Sequence, residues 1–248
     1  MEKKSVVFLG SKPIGYHCLD YMLQQAPALH IEVKGILTQE NANFGEGYSL
    51  RQLAESHQVP VISSLSEMPE VDILYSVQYH EILKQQDINK ANQIAVNLHM
   101  APLPEYRGCN QFSFAILDQK TEFGTTIHRM DAGIDHGDIL FEQRFPIPEQ
   151  CWVNDLYQLT FDASLNLFQR TLTDIINGNY TPIPQLNYEP LRGSSMHYRK
   201  EIKAIKELDI SWDKEKIHRH IRATAMPGFE PPYFLMGDQK IYCSKTWQ

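Results

Sequence analysis

Three side chains of this sequence have the types and spacing for acyl chemistry. Asn97 and His99 close the apolar run Ile94 to Leu98. Residues two apart on a strand face the same side, so a carboxamide and an imidazole stand together at a strand's carboxyl end. The amide N–H can donate to a developing oxyanion, and the imidazole can carry a proton near neutral pH. Asp135 follows in the loop Asp131-Ala132-Gly133-Ile134-Asp135-His136-Gly137-Asp138, where the glycines allow sharp turns. Its carboxylate is placed to accept from His99, orienting the ring and raising its basicity. Each part alone has a plainer reading. A single histidine at a strand end is commonly a hydrogen-bonded structural group. An acidic glycine loop is commonly a solvated turn or a calcium site. Calcium is disfavoured, because the loop lacks the alternating ligands and closing Glu of an EF-hand.

Competing chemistries find less support. His80, His99, His128 and His136 form no H-E-x-x-H or other recognised zinc spacing, so no metal is expected. Ser11, Ser76 and Ser113 lack the G-x-S-x-G setting of an activated serine. The turn Gly10-Ser11-Lys12-Pro13-Ile14-Gly15 matches neither a dinucleotide fingerprint nor a P-loop, and reads as a tight entry into a helix. Cys18, Cys109, Cys151 and Cys243 are too scattered for a zinc site or a disulfide framework, which suits reduced cytoplasmic thiols.

The elements that must position these groups follow from hydrophobic periodicity. Apolar runs at Val6 to Leu9, Ile31 to Leu37, Val59 to Ile62, Ile73 to Val77 and Ile94 to Leu98 predict strands. Helical segments around Tyr16 to Leu23, Leu50 to Ser56 and Glu81 to Gln86 alternate with them. The pattern is that of an open, mostly parallel α/β sheet, whose ligands sit beyond the carboxyl ends of its strands. Thr125 to His128 and Ile139 to Phe145 add extended segments, and Val153 to Ile176 predicts a long helix ending at Gly178. After Tyr180 a proline-marked stretch through Ser195 reads as a linker, dividing the chain into a catalytic unit over 1–180 and a small appendage over 181–248. The appendage is predicted to hold a helix over Asp213 to Thr224 and a hairpin over Tyr233 to Cys243. No apolar stretch approaches the ~20 residues of a membrane span, so a cytoplasmic protein without a membrane partner is expected.

Taken together, Asn97-x-His99, Leu103-Pro104-x-Tyr106-Arg107-Gly108, and His128 followed by Asp135 in Asp131-x-Gly133-x-Asp135-x-Gly137-Asp138-Ile139 resemble the 10-formyltetrahydrofolate-dependent formyltransferases. The resemblance runs over roughly residues 1–180 and departs locally at Met100-Ala101, where Ser-Leu is the commoner wording. It implies a Rossmann-like formyltransferase fold and a catalytic trio of Asn97, His99 and Asp135. It also implies that 10-formyltetrahydrofolate lies between Tyr79-His80-Glu81-Ile82-Leu83 and the loop holding Asp131, Gly133, Ile134 and Asp135. Main-chain groups of Glu81 and Leu83 would read the pterin edge. His128 would support the loop from beneath, or serve simply as a satisfied core histidine.

Family members differ in the amine they formylate. The tail Asp209 to Trp212, Ile217 to Ala223, Pro227-Gly228 and a terminal hairpin resembles the short appendage of sugar-nucleotide N-formyltransferases. The expected acceptor is therefore the primary amine of a UDP- or dTDP-linked amino-deoxy sugar, in surface polysaccharide or nonulosonic acid synthesis. Methionyl-tRNA, glycinamide ribonucleotide, and a non-catalytic folate or sugar-nucleotide binding module are the alternatives. With 23 Lys and Arg against 30 Asp and Glu, the net charge of −7 gives a polyanion no concentrated basic surface, so no nucleic-acid partner is expected. Arg107, Asn110, Tyr198, Trp212 and Arg222 are candidate nucleotide contacts, Trp212 and Arg222 reading also as anchors of the appendage. The resemblance and the apolar residues Tyr233, Phe234, Leu235 and Met236 suggest a homodimer.

Overall fold

The computed structural model describes residues 3–39 and 47–243. Its first half alternates β1 (Lys4–Gly10), α1 (Lys12–Gln25), β2 (Ile31–Leu37), α2 (Leu50–Ser56), β3 (Val71–Val77), α3 (Gln85–Ile88) and β4 (Ala91–His99). A short β5 (Arg107–Gly108) and α4 (Gln111–Leu117) lead into β6 (Glu122–Arg129), β7 (Ile139–Pro146) and the long α5 (Val153–Asn177). Six strands form one sheet in the order β2-β1-β3-β4-β6-β7. The first four are mutually parallel, β6 runs antiparallel to them, and β7, antiparallel to β6, shares their direction again. The chain winds outward from β1 to β2, then returns to place β3 on the other side of β1. That reversal opens a crevice at the carboxyl ends of β1 and β3.

Strand β1 carries Val6, Val7, Phe8 and Leu9, all fully buried, because both faces of the sheet are covered. Alternation sorts them into two cores. Val6 and Phe8 pack with α1, α2 and α5, including Leu19, Leu53 and Phe168. Val7 and Leu9 pack with Leu37, Leu74, Leu83, Ile88 and Ala95 under shorter covering segments. Asn97 and His99 continue the face of Ala95, so they emerge on the side with the shorter covering segments. Gly178 ends α5 at φ 76, with Asn179 N–H donating to Asp174 O at 2.8 Å, a helix stop that suits glycine.

Two sequence expectations shrink. Val59 to Ile62 forms a single bridge, Val61 to Ile36, because Pro60 has no N–H to lend a ladder. The segment Glu81 to Gln86 is helical only from Gln85, where Lys84 N–H donates to Asp87 Oδ2 at 2.9 Å; residues 81–84 are not helical. Beyond Tyr180 the chain stays on the core. Ile183 exchanges both main-chain bonds with Ile139 of β7. There follow α6 (Glu189–Arg192), β8 (Met196–His197), α7 (Ile202–Lys206), β9 (Glu207–Leu208), α8 (Lys214–Thr224), β10 (Tyr233–Met236) and β11 (Gln239–Tyr242). β10 and β11 make the expected hairpin. β8 pairs in parallel with β5, tying this stretch to the loop after β4. Among the described residues no helix is long and apolar enough to cross a bilayer.

Phe168 is fully buried, with its ring edge-on to Tyr75 at 4.9 Å. Phe168→Ala is expected to cost about 3–5 kcal/mol in urea unfolding; a loss below about 1 kcal/mol would show that α5 does not clamp the sheet as described.

Candidate active site

The antiparallel register of β4 and β6 sets Asn97 opposite His128 and His99 opposite Thr126. Asp135 reaches them from the loop between β6 and β7. Its Oδ1 lies 3.5 Å from Asn97 Nδ2, 3.5 Å from His99 Nδ1 and 3.5 Å from His128 Nε2. The three residues expected to act together are thus brought together, with a second imidazole among them. His99 and His128 are 4% and 3% exposed.

Carbonyl oxygens only accept hydrogen bonds, and this fixes the rings. His99 Nε2–H donates to Tyr106 O at 2.8 Å, leaving Nδ1 toward Asp135. His128 Nδ1–H donates to Arg129 O at 2.7 Å, leaving Nε2 toward Asn97 Nδ2 at 3.2 Å. In its neutral form His128 accepts from the Asn97 amide; with a second proton it would donate to Asp135 instead. The amide orientation follows, since a reversed Asn97 would set its oxygen against two acceptors. His99 Nδ1 is then the uncommitted ring nitrogen, facing the Asp135 carboxylate.

Burial alone would push the Asp135 carboxyl up. His99, His128 and the Gly108 N–H, which donates to Asp135 Oδ2 at 2.9 Å, more than reverse this and hold it well below the usual carboxylate range. Asp135 therefore stays ionised and serves as a fixed negative charge. Its backbone sits at φ 48, a left-handed conformation that aspartate tolerates better than most residues. Gln185 holds the turn in place, its Nε2 donating to Asp135 O at 2.8 Å and Gly137 O at 2.9 Å. A Cβ at Gly137 would lie 2.1 Å from Arg129 O, so this turn needs glycine. Asp131 spends both oxygens within the loop, on Gly133 N–H at 2.8 Å and His136 Nδ1 at 2.7 Å.

The segment 79–83 is the one the resemblance assigns to the pterin. Leu83 is buried in the second core with Tyr79 partly covered, while Ile82 is 69% exposed; Ile134, in the loop that carries Asp135, also shows to solvent. Burial, then the Glu81 carboxylate, raises the Tyr79 phenol to about 12, and it donates to Glu81 Oε1 at 3.4 Å. Among the described residues, no protein group bonds the main-chain N–H or C=O of Glu81, Ile82 or Leu83. Unpaired amides beside apolar side chains are the surroundings a flat, polar-edged heterocycle such as a pterin requires, so the residues present fit that group. Among the described residues no cluster of His, Cys, Asp and Glu is placed to hold a metal ion.

The candidate nucleotide contacts divide. Arg107 faces Ser194 Oγ and lies 3.6 Å from Glu189. Asn110 Nδ2 donates to Tyr198 O at 2.9 Å and Arg199 O at 3.4 Å. Arg107 lies within the loop that carries Tyr106 and Gly108, and Asn110 follows directly on it. Arg222 is buried and donates to Cys151 O at 2.9 Å. Trp212 packs against His220 and under Lys216. Among the described residues, no hydrogen bond or ring contact joins Arg222 or Trp212 to the Asp135 cluster, and both anchor the C-terminal elements. Sequence reading missed Lys12, whose turn looked like a bare helix entry. Its Nζ donates to Gln78 Oε1 at 2.8 Å, across the crevice between β1 and β3. Burial, and then the neighbouring Arg199, lower its pKa, and no carboxylate among the described residues pairs with it.

A family model described as formyl transferase matches residues 20–172. The chain belongs to the formyl transferase family. The methionyl-tRNA formyltransferase of Synechococcus sp. (strain JA-3-3Ab) is 30% identical over 241 residues, covering 88% of this chain and 70% of that protein. The GDP-perosamine N-formyltransferase of Brucella melitensis biotype 1 is 29% identical over 171 residues, 69% of this chain and 63% of that one. Among solved structures, the N-formyltransferase from Helicobacter canadensis, in complex with folinic acid and dTDP-3-aminofucose, superposes with a TM-score of 0.78. It is 25% identical, over 97% of this chain and 86% of its own. This formyl transferase thus has an established family, with relatives whose acceptors differ.

Asp135 offers a test in acid. A carboxylate with a depressed folded pKa contributes stability that is present above the unfolded value, about 3.9, and is lost as pH falls through the folded one. The urea midpoint of the wild type should fall more steeply between about pH 4 and 3 than that of Asp135→Asn. Parallel slopes would contradict the ionised, hydrogen-bonded carboxylate.

Proposed function

We propose that this formyl transferase moves a formyl group from 10-formyltetrahydrofolate to the primary amine of a nucleotide-linked amino-deoxy sugar. Carrying the reading is the set of groups at the crevice mouth: Asn97, His99 and ionised Asp135 at one end, and Lys12 near Arg199 at the other. Two neighbouring cations, neither of them in an ion pair with a carboxylate among the described residues, suit a diphosphate. Lys12 and Asn97 stand two strands apart, roughly 10 Å at the ~4.8 Å strand spacing, which leaves room for a sugar ring between a diphosphate and a reacting amine. The crystallised relative holding folinic acid and an amino-sugar nucleotide supports the same pairing of ligands. Residues 1–180 would carry the formyl-donor site and the trio, and residues 181–248 would complete the acceptor side.

In the reaction the folate supplies an activated formyl group on nitrogen. The unprotonated sugar amine forms a C–N bond to the formyl carbon, the carbon's bond to the folate nitrogen breaks, and the amine proton passes to that departing nitrogen. Asn97 commits one Nδ2 hydrogen to His128, while the other faces Asp135 at 3.5 Å. That contact is long enough to be exchanged for the formyl oxygen as its charge grows. Protonated His99 assists at the same oxygen. Its Nδ1 then relays the proton, directly or through a water on Asp135.

A second reading, methionyl-tRNA formylation, has the 30% identical Synechococcus relative in its favour, and the net charge of −7 against it. Tetrahydrofolate release, with mass spectrometry of products from a panel of UDP-, dTDP- and GDP-linked amino sugars and from methionyl-tRNA, decides between them. We expect a formylated amino-sugar nucleotide, with turnover about 10²–10⁴-fold lower in Asn97→Ala and His99→Ala. Formyl-methionyl-tRNA alone would overturn the sugar reading. Binding of both ligands without turnover would assign a binding module.

Lys12→Gln should raise KM for the sugar nucleotide about tenfold or more, the worth of a charge-assisted hydrogen bond, and leave KM for the folate unchanged. Equal effects on both substrates would remove Lys12 from the acceptor side.

A further inference from the structure

Residues 194–201 lie beyond the part of the chain matched by the family model, yet they grip the loop on which the catalytic groups depend. Arg107 N–H donates to Ser195 O at 3.0 Å, and Cys109 N–H donates to His197 O at 2.8 Å, in the parallel pairing of β5 with β8. Ser195 Oγ donates to Glu105 O, and Asn110 Nδ2 to Tyr198 O. The His197 ring stacks on Phe114 at 3.6 Å with 9° between planes and lies near-parallel to Tyr106 at 6.4 Å; its Nδ1 sits 3.0 Å from Glu201. The gripped loop carries the Tyr106 carbonyl that fixes His99 and the Gly108 N–H that fixes Asp135. Gly108 adopts φ 86, and a Cβ there would lie 2.2 Å from His197 O, so the strand pair closes onto a bare backbone.

We infer that the β5–β8 pair, seated by the His197 ring, is the positioning element of the catalytic cluster: it sets Gly108 against Asp135 and Tyr106 against His99 without touching a reacting atom. If β8 loosens, both orienting bonds are released together, because they arise from residues only two apart on one loop. His197 is a positioning residue, acting through its ring rather than its charge. The catalytic consequence rests on the roles proposed above for Asp135 and His99; the structural coupling does not.

Amide hydrogen exchange reads the coupling without any substrate. In His197→Ala, exchange of the Gly108 and Cys109 amides should rise about tenfold or more while that of Val96 in β4 stays fixed, which separates loosening of the strap from global destabilisation. His197→Phe, which keeps the stacked ring and loses the hydrogen bond to Glu201, should restore protection. Gly108→Ala should raise Cys109 exchange in the same way. With the acceptor identified, kcat should fall about tenfold in His197→Ala and Gly108→Ala with KM for the folate unchanged, and recover in His197→Phe. Unaltered exchange at Gly108 and Cys109 in His197→Ala, or a uniform rise that includes Val96, would overturn the inference, as would His197→Phe behaving like His197→Ala. The exchange pattern with no sugar formylated would overturn the acceptor reading alone.

Discussion

One carboxylate oxygen, Asp135 Oδ1, with three nitrogens at 3.5 Å, is the constraint around which this molecule is arranged. A buried charge persists only where donors and opposite charge compensate its lost hydration. Here the compensation comes from β4, the loop after it, and β6. None of the three contacts is short, so the cluster is assembled but not saturated, as the proposed exchange of partners requires. The firm bond is on the other oxygen, where Gly108 N–H donates at 2.9 Å.

The sheet supplies this arrangement through a change of direction. A fully parallel sheet would carry β6 back the other way and leave no residue of it opposite Asn97 in the observed register. Antiparallel β6 instead sets His128 across from Asn97, and the loop that follows it folds back so that Asp135 reaches both Asn97 and His99. The imidazoles are then fixed by two carbonyls, Tyr106 O and Arg129 O, which cannot donate and so leave one nitrogen of each ring for the cluster. Left-handed Asp135 is stabilised by Gln185 from a stretch that looks, by composition, like a simple linker.

Much of this was legible in the sequence because it rests on local pattern. Buried β1 and β3 announce themselves as apolar runs, α5 by its stripe and its closing Gly178, and the same-face placement of Asn97 and His99 by strand alternation. What was not legible rests on tertiary pairing. Nothing in Gln185 signals that its amide will meet two main-chain carbonyls, nor in His197 that its ring will seat on Phe114. Lys12 was hidden by the failure of its turn to match a phosphate-loop pattern, although a basic side chain entering the β1–β3 crevice was a usable signal. Val59 to Ile62 misled because Pro60 removes the donor that an apolar run would otherwise lend to the sheet. Arg222 and Trp212 matched the chemistry of a nucleotide contact, but charge and aromaticity do not specify location, and here they bind the C-terminal elements to the core.

The account turns on which ring nitrogens are committed and which are free. Nitrogen-15 spectra of the imidazoles of His99 and His128 report this directly, since protonated and lone-pair ring nitrogens resonate far apart. The geometry predicts that the neutral form of His99 carries its proton on Nε2 and the neutral form of His128 on Nδ1. Observation of the opposite tautomer at either ring would contradict the orientation of Asn97 and the proton path assigned to Asp135's neighbours.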